Sequence, residues 1–109
     1  MAGYYELKTN AGGSYMFNLR AGNHEVILTS EAYSRKESAL AGIESVRKNA
    51  PDDAHFERRQ AKDHSDYFVL KAANGEVIGK SEMYSSKQAM ENGIASVKHN
   101  AASPEIKER

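Results

Sequence analysis

Two short segments of the sequence carry side chains that could bind an anion or another small ligand. Each segment combines a hydroxyl, a carboxylate and a phenol, and the two sets are Ser30, Glu31, Tyr33 and Ser81, Glu82, Tyr84. Both sets precede a predicted helix, whose free N–H groups attract anions. One interpretation is a pair of pseudo-symmetric anion or ligand sites. The other is that Ser and Glu bond turn amides while Tyr packs beside the helix, which duplication favours, because folding constrains both copies.

Other reactive side chains lack the spacing of a catalytic or metal site. Asp63, His64 and Asp66, with His55 and the pair Asp52-Asp53 upstream, have metal-ligand chemistry but no helical i, i+4 spacing. A solvated loop is the favoured interpretation. The sequence contains no Gly-x-Ser-x-Gly elbow, P-loop or Gly-x-Gly-x-x-Gly fingerprint. We therefore predict no catalytic residue, no cofactor and no bound metal.

A repeated unit must position these side chains. Residues 4–50 align without a gap with residues 55–101 at an offset of 51, and 20 of the 47 pairs are identical. A unit of this size is marginally stable alone when it has no disulfide or metal, and the chain has no cysteine. We therefore predict one domain, 1–109, in which repeats 4–50 and 55–101 share one core.

Each repeat is predicted to contain three strands followed by a helix. Alternating patterns indicate a hairpin in each copy, and segments 4–8 and 55–59 indicate an earlier, more polar strand. The turn Asn74-Gly75 is typical of a two-residue hairpin loop. The apolar side of the hairpins, predicted to face the core, comprises Phe17, Leu19, Val26, Leu28, Phe68, Leu70 and Val77.

The predicted helices begin with a capping box in both copies. Ser34 precedes Glu37 by three residues, and Ser85 precedes Gln88 by three. Pro51 is predicted to end the first helix. The glycines at equivalent helical positions, 42 and 93, cost helix stability, so we expect a strand backbone to pass close beneath them.

The tandem pattern resembles a known family. The motifs that carry the resemblance are Asn-Gly-Glu-Val-Ile at 74–78, Ser-Glu-x-Tyr-Ser at 81–85 and Gly-Ile-x-Ser-Val-Lys-x-Asn-Ala at 93–101. They are similar to those of the YegP-like family of small bacterial proteins, and the likeness covers residues 4–101. The resemblance implies an α+β fold in which two βββα(β) repeats share one antiparallel sheet, carry two helices on it and exchange terminal strands. It implies no activity, substrate or catalytic residue.

The sheet face opposite the predicted core is mixed in character, as a docking surface can be. We predict that it comprises Met16, Asn18, Arg20, Ile27, Tyr67, Val69, Lys71 and Ile78. Arg20 and Lys71, with aromatic residues on neighbouring strands, could also hold single-stranded bases. The RNA-recognition signature is absent, which makes nucleic acid the less favoured partner.

Charge and composition further limit the functions that the sequence allows. Fifteen basic and fifteen acidic residues balance, whereas a nucleic-acid-binding chain usually carries a basic excess. No apolar run is long enough for a membrane span, and the N-terminus lacks a signal-peptide pattern, so a cytoplasmic location is expected. Because both repeats are present in one chain, we predict a monomer. The favoured function is a non-enzymatic protein-interaction module; the alternatives are a nucleic-acid-binding protein and a small-ligand or anion binder near the helix N-termini.

Overall fold

The computed structural model describes residues 3–109, which form one seven-stranded sheet with two helices on one face. The first repeat contains β1 (Tyr4–Thr9), β2 (Tyr15–Arg20), β3 (Val26–Ser30) and α1 (Lys36–Asn49). A 3-10 turn (Asp53–His55) leads into the second repeat, which contains β4 (Phe56–Gln60), β5 (Asp66–Lys71), β6 (Val77–Lys80) and α2 (Lys87–Asn100). The last strand is β7 (Ile106–Glu108).

The sheet joins the two repeats at its centre and exchanges one strand at its edge. The strand order is β4-β5-β6-β3-β2-β1-β7, so β3 and β6 pair across the repeat boundary. The last strand, β7, crosses to the first repeat and pairs with β1. The predicted α+β fold with tandem repeats and a swapped terminal strand is confirmed. One detail differs, because β7 runs parallel to β1 while every other described pairing is antiparallel.

The core lies between the sheet and the helices. Phe17, Leu19 and Leu28 are fully buried, as are Phe68 and Leu70 in the second repeat. The helices contribute the stripe with 3.6-residue period, which includes Ala39, Ile43, Val46, Ala50, Met90, Ile94, Val97 and Ala101. Within residues 3–109 neither helix is long and apolar enough to cross a membrane.

A β-bulge in each repeat places four residues on the opposite sheet face from the one predicted. The register shifts after Leu19, so that Leu28 lies opposite Leu19 but Val26 lies opposite Arg20. The same shift in the second repeat places Val77 opposite Lys71. A bulge puts two successive residues of one strand against one residue of its partner, which strict alternation does not anticipate. Consequently Ile27 and Ile78 join the core, whereas Val26 and Val77 turn toward the opposite face.

The predicted helix starts were wrong by one residue. The N-cap of α2 is Ser86, whose hydroxyl accepts from the Ala89 N–H at 3.1 Å, while the N-cap of α1 is Arg35, without a side-chain cap. Ser34 and Ser85 therefore lie one position too early to cap. The first helix does end before Pro51, since Ala50 is its C-cap.

The helix glycines face tyrosine rings rather than a strand backbone. A Cβ on Gly42 would lie 2.5 Å from the Tyr33 hydroxyl oxygen, and a Cβ on Gly93 would lie 2.6 Å from Cζ of Tyr84. The prediction of a close approach is confirmed, but its partner was wrong. The repeated Tyr and Gly are therefore one packing contact, used once in each repeat.

The hairpin loops contain three residues rather than two. The Ala72 N–H donates to the Glu76 carbonyl, and of the loop residues between them Gly75 has a positive φ of 87°. His24 takes the equivalent left-handed conformation, with φ of 71°. The asparagines stabilise these loops as predicted, since the Asn74 side chain accepts the Glu76 N–H at 3.0 Å.

Candidate binding face of the sheet

The sheet face turned away from the helices, called the outer face below, concentrates positive charge. Strand alternation and register put seven basic side chains there: Lys8, Arg20, Arg59, Lys71, Lys80, Lys107 and Arg109. The carboxylates on or beside this face are Glu6, Glu57 and Glu105. The outer face thus has an excess of four positive charges, and the remaining eight basic and twelve acidic residues leave an equal negative excess elsewhere.

Glu6 organises the first-repeat side of the outer face. Its carboxylate, 8 % exposed, accepts hydrogen bonds from Nε of Arg20 at 3.0 Å and Nε of Arg109 at 2.9 Å, and Nζ of Lys8 lies 3.2 Å away. Burial raises the pKa of Glu6, but hydrogen bonds from the three cations outweigh burial and hold the pKa at about 2. Three cations around one carboxylate leave this cluster with a positive excess.

The first-repeat cluster also covers an aromatic ring. Lys107 places its ammonium 4.3 Å from the centroid of the Tyr4 ring, and the Tyr4 hydroxyl is 3.0 Å from Nδ1 of His24. Tyr4 is 4 % exposed as a result. Its ring is therefore not available to stack on a ligand.

Glu57 repeats the arrangement in the second repeat. Nζ of Lys71 donates to its carboxylate at 2.8 Å, and Nε of Arg59 also donates to it. These hydrogen bonds, with that from Lys71 the largest, lower the pKa of Glu57. Lys80 lies 5.2 Å above the ring of the half-buried Tyr67. The two repeats thus carry equivalent cationic clusters at opposite ends of one sheet.

The predicted interaction residues divide between this face and the core. Arg20, Lys71, Met16 and Tyr67 are half-buried on the outer face. Asn18 and Val69 also lie there but are 5 % and 2 % exposed. Ile27 and Ile78 belong to the core because of the bulges. Sequence reasoning missed five of the seven cations. Four of them share one signal, an outward position in a different strand each, and Arg109 follows β7.

The Ser-Glu-x-Tyr segments hold the hairpin to the helix. The Ser30 hydroxyl accepts the Phe17 N–H at 2.9 Å and donates to the Glu31 carbonyl at 2.7 Å. The Tyr33 backbone bridges to Tyr15, and its ring stacks on Phe17 at 6.3 Å between centroids. Burial, with a smaller contribution from the Glu31 charge, raises the pKa of the Tyr33 phenol.

The second segment repeats these contacts in every particular. Ser81 bonds Phe68 and the Glu82 carbonyl, and Tyr84 bridges to Asp66 and stacks on Phe68. The hydroxyls of Ser30 and Ser81 are thus already hydrogen-bonded within the fold, and the side chains of Glu31 and Glu82 are exposed.

The acidic and histidine residues of the inter-repeat segment and the following loop make local contacts. Asp52 accepts the Ala54 N–H, Asp63 accepts the Ser65 N–H, and His55 Nδ1 lies 2.9 Å from the Lys71 carbonyl oxygen. Asp53 forms ion pairs with Arg58 and Lys98. Asp66 starts β5 and His64 is a turn residue. Across residues 3–109 no three such side chains converge as metal ligands would.

The fold and this face define a class of protein: a duplicated α+β unit that shares one sheet and presents that sheet uncovered on one side. The chain belongs to the family described as "Domain of unknown function (DUF1508)", which matches it twice, at residues 10–57 and 61–108.

Full-length relatives agree with this assignment. The chain is 60 % identical to a UPF0339 protein of Bordetella pertussis, covering all of this chain and 97 % of the relative, and 48 % identical to the UPF0339 protein YegP of Escherichia coli, covering 99 % and 98 %. The solution structure of yegP from E. coli, described as a protein of unknown function, superposes with a TM-score of 0.95 at 48 % identity, over 100 % of this chain and 94 % of that one. That of a Shewanella oneidensis UPF0339 protein gives 0.93 at 49 % identity, over 99 % and 92 %.

Proposed function

We propose that the protein is a non-enzymatic interaction module whose outer face binds an acidic surface of another protein. The observation that carries the proposal is the excess of four positive charges on one sheet face of a chain with no net charge. Complementary potentials steer association and disfavour partners of the same sign. Because Glu6 and Glu57 hold their cations in place, the face would bind with little loss of side-chain freedom.

Single-stranded nucleic acid is the second candidate, favoured by the half-buried Tyr67 ring among basic side chains. Bases stack on aromatic rings in such complexes, and phosphates take the cations. Tyr4, the aromatic residue at the other end of the face, is 4 % exposed beneath Lys107. A strand of several nucleotides would therefore meet one accessible ring, which ranks nucleic acid below an acidic protein surface.

The test measures binding of two labelled probes, an oligoglutamate peptide and an oligothymidine, by fluorescence anisotropy at several salt concentrations. The variant Lys80→Glu/Lys107→Glu reverses one cation in each of the two clusters. Arg35→Glu/Lys48→Glu makes the same change in formal charge at exposed positions of α1 and its N-cap, on the helix side of the sheet. We expect the first variant to weaken peptide binding about tenfold or more and the second to leave it nearly unchanged.

Three other results would refute the proposal or replace it. Equal losses in both variants would mean that net charge rather than the outer face controls binding. Preferential binding of oligothymidine, lost in the outer-face variant, would put nucleic acid first. No binding of either probe at low salt would remove the outer face as a polyanion site.

The proposal includes action as a cytoplasmic monomer. Support for a monomer comes from the two repeats, which already pair β3 with β6 within one chain. Light scattering at increasing concentration tests this part, and a mass of two chains would contradict it.

A further inference from the structure

The duplicated sheet is incomplete at one of its two edges. In the first repeat, the outer edge of β1 is covered by β7. The equivalent strand of the second repeat is β4, and within residues 3–109 no strand pairs with its outer edge. The sheet consequently has seven strands where full pseudo-symmetry would give eight.

The backbone of β4 presents hydrogen-bonding groups at this open edge. Both backbone groups of Phe68 are bonded on the β6 side, the N–H to Ser81 Oγ and the carbonyl to the Ser81 N–H. Those of Asp66 are bonded in the same direction, to Tyr84. In an antiparallel pair, the backbone N–H and carbonyl groups of two opposite residues either bond to each other or both point away from the partner strand. Arg58, opposite Phe68, and Gln60, opposite Asp66, therefore turn their N–H and carbonyl groups outward.

The β1 edge demonstrates what such groups bind. There the Tyr5 N–H donates to the Glu105 carbonyl at 3.0 Å, and the Arg109 N–H donates to the Leu7 carbonyl at 2.8 Å. Tyr5 and Leu7 are the repeat equivalents of Phe56 and Arg58. The outward backbone groups of Phe56 are already partly occupied, because the Phe56 N–H is bonded to the Asp53 carbonyl. The free part of the edge is thus its C-terminal half, from Arg58 to Gln60.

A groove of about 480 Å³ lies beside this half-edge, between β4 and α2, with Gln60, Asp66, Lys87 and Met90 in its lining. One end is closed by Arg58, which is held by Glu91 and Asp53. Charged side chains such as Arg58, and the 3-10 turn that precedes β4, also protect an edge strand from pairing along its whole length. They leave the groove beside Gln60 accessible.

Lys87 indicates the charge of the missing occupant. Its repeat equivalent, Lys36, is paired with a carboxylate of β7, the Glu108 Oε1 at 2.5 Å. Lys87 is exposed, and among the described residues no carboxylate lies within ion-pair distance of it. If a partner strand paired with β4 in the way that β7 pairs with β1, one of its side chains would lie next to Lys87, as Glu108 lies next to Lys36.

We propose that the β4 edge binds an extended segment of a partner protein by parallel strand addition, with an acidic side chain of that segment paired to Lys87. The repeat geometry specifies the segment: Ile106 packs inward on the core while Glu108, two residues later, reaches Lys36. The partner segment therefore carries an apolar residue two positions before an acidic one. Backbone hydrogen bonds supply general affinity and the two side chains supply selectivity.

The test uses the full chain labelled with ¹⁵N and a synthetic peptide with the sequence of residues 103–109, the segment that the β1 edge binds internally. We expect amide shifts at Arg58 and Gln60. Lys87→Glu is expected to weaken binding about tenfold, and a peptide with Glu108→Lys to recover it. Arg58→Pro removes the outward N–H that lies opposite the acidic residue in this register, at an edge position that tolerates proline, and is expected to abolish binding. Lys80→Glu, on the outer face, serves as the control and is expected to bind normally.

Three outcomes would overturn the proposal. Shifts confined to Tyr5 and Leu7 would mean that the peptide only replaces β7. Binding that survives both Lys87→Glu and Arg58→Pro would place it elsewhere, and no shifts at millimolar peptide would remove the β4 edge as a site. The control variant separates this proposal from the outer-face proposal, because Lys80→Glu affects the outer face alone.

Discussion

Replacing Glu6 by Gln tests whether the outer-face clusters are preorganised by their carboxylates. Gln keeps the shape of Glu and one acceptor oxygen but removes the charge that holds Lys8, Arg20 and Arg109. Loss of that charge should destabilise the fold and leave three neighbouring cations to repel one another. The matched variant is Glu57→Gln, the repeat equivalent, whose carboxylate is 41 % exposed rather than 8 %.

The magnitude follows from the pKa of Glu6. A change from the ordinary value of 4.5 to about 2 corresponds to at most about 3.5 kcal/mol, at about 1.4 kcal/mol per pKa unit. Two of the partners are well exposed, Arg109 at 52 % and Lys8 at 38 %, and solvent screens their contribution. We therefore expect Glu6→Gln to lower the free energy of unfolding by about 1–2 kcal/mol at pH 7, and Glu57→Gln to lower it by less.

The pH dependence gives the second readout. Folding lowers the pKa of Glu6, so its stabilisation is fully present above pH 4.5 and is lost as the pH falls toward 2. More than half of the difference between the wild type and Glu6→Gln should therefore disappear by about pH 3. Urea unfolding followed by circular dichroism between pH 7 and pH 3 measures both quantities. Equal losses in the two variants at pH 7, or a Glu6→Gln deficit that does not change with pH, would refute the reasoning.

Two further predictions concern the packing that the repeats share and the contact that they do not. Gly42→Ala should cost about 1–3 kcal/mol through overlap with Tyr33, despite a gain of about 1 kcal/mol in helix propensity, and Tyr33→Phe should recover part of the loss in a double-mutant cycle. A net gain in thermal stability for Gly42→Ala would contradict this contact. Asn100→Ala should cost about 1 kcal/mol more than Asn49→Ala in urea unfolding, because Asn100 alone of the two accepts the Gly3 N–H, at 3.0 Å. Hydrogen exchange at the Gly3 amide should accelerate in Asn100→Ala. Equal losses of unfolding free energy in the two variants would indicate that the hydrogen bond from Gly3 to Asn100 contributes nothing to stability.

The repeat made the architecture predictable because each element could be identified twice. Phe17 and Phe68 stand at equivalent, fully buried positions, and both helix stripes have the expected period. The bulges that exchange Val26 for Ile27 could not be predicted, since they depend on the loop closed between Ala21 and Glu25. The helix starts were misplaced for a related reason. Ser34 and Ser86 are both capping residue types, and the tertiary contacts rather than local sequence select the position.

The candidate site was harder to predict because its signal is spatial. A chain with balanced charge, spread evenly along its length, gives no indication of a basic surface. The outer face acquires its charge because Lys8, Arg59 and Lys80 each occupy an outward position on a different strand. That assignment requires the register of every strand. A one-residue slip would move each of these side chains to the other face.

The contacts that differ between the repeats carry more information about binding than the contacts that the repeats share. The identical pairs, such as Tyr33 with Tyr84 and Gly42 with Gly93, are explained by packing that folding requires of both copies. Lys36 and Lys87 are also identical, yet one has a carboxylate partner from β7 and the other, among the described residues, has none. Packing within the described residues accounts for neither ammonium. If the position were retained only for the Glu108 ion pair, the second copy would have no reason to keep lysine. A second acidic strand at β4 would give both copies the same role, which is why the Lys87→Glu variant is the decisive one.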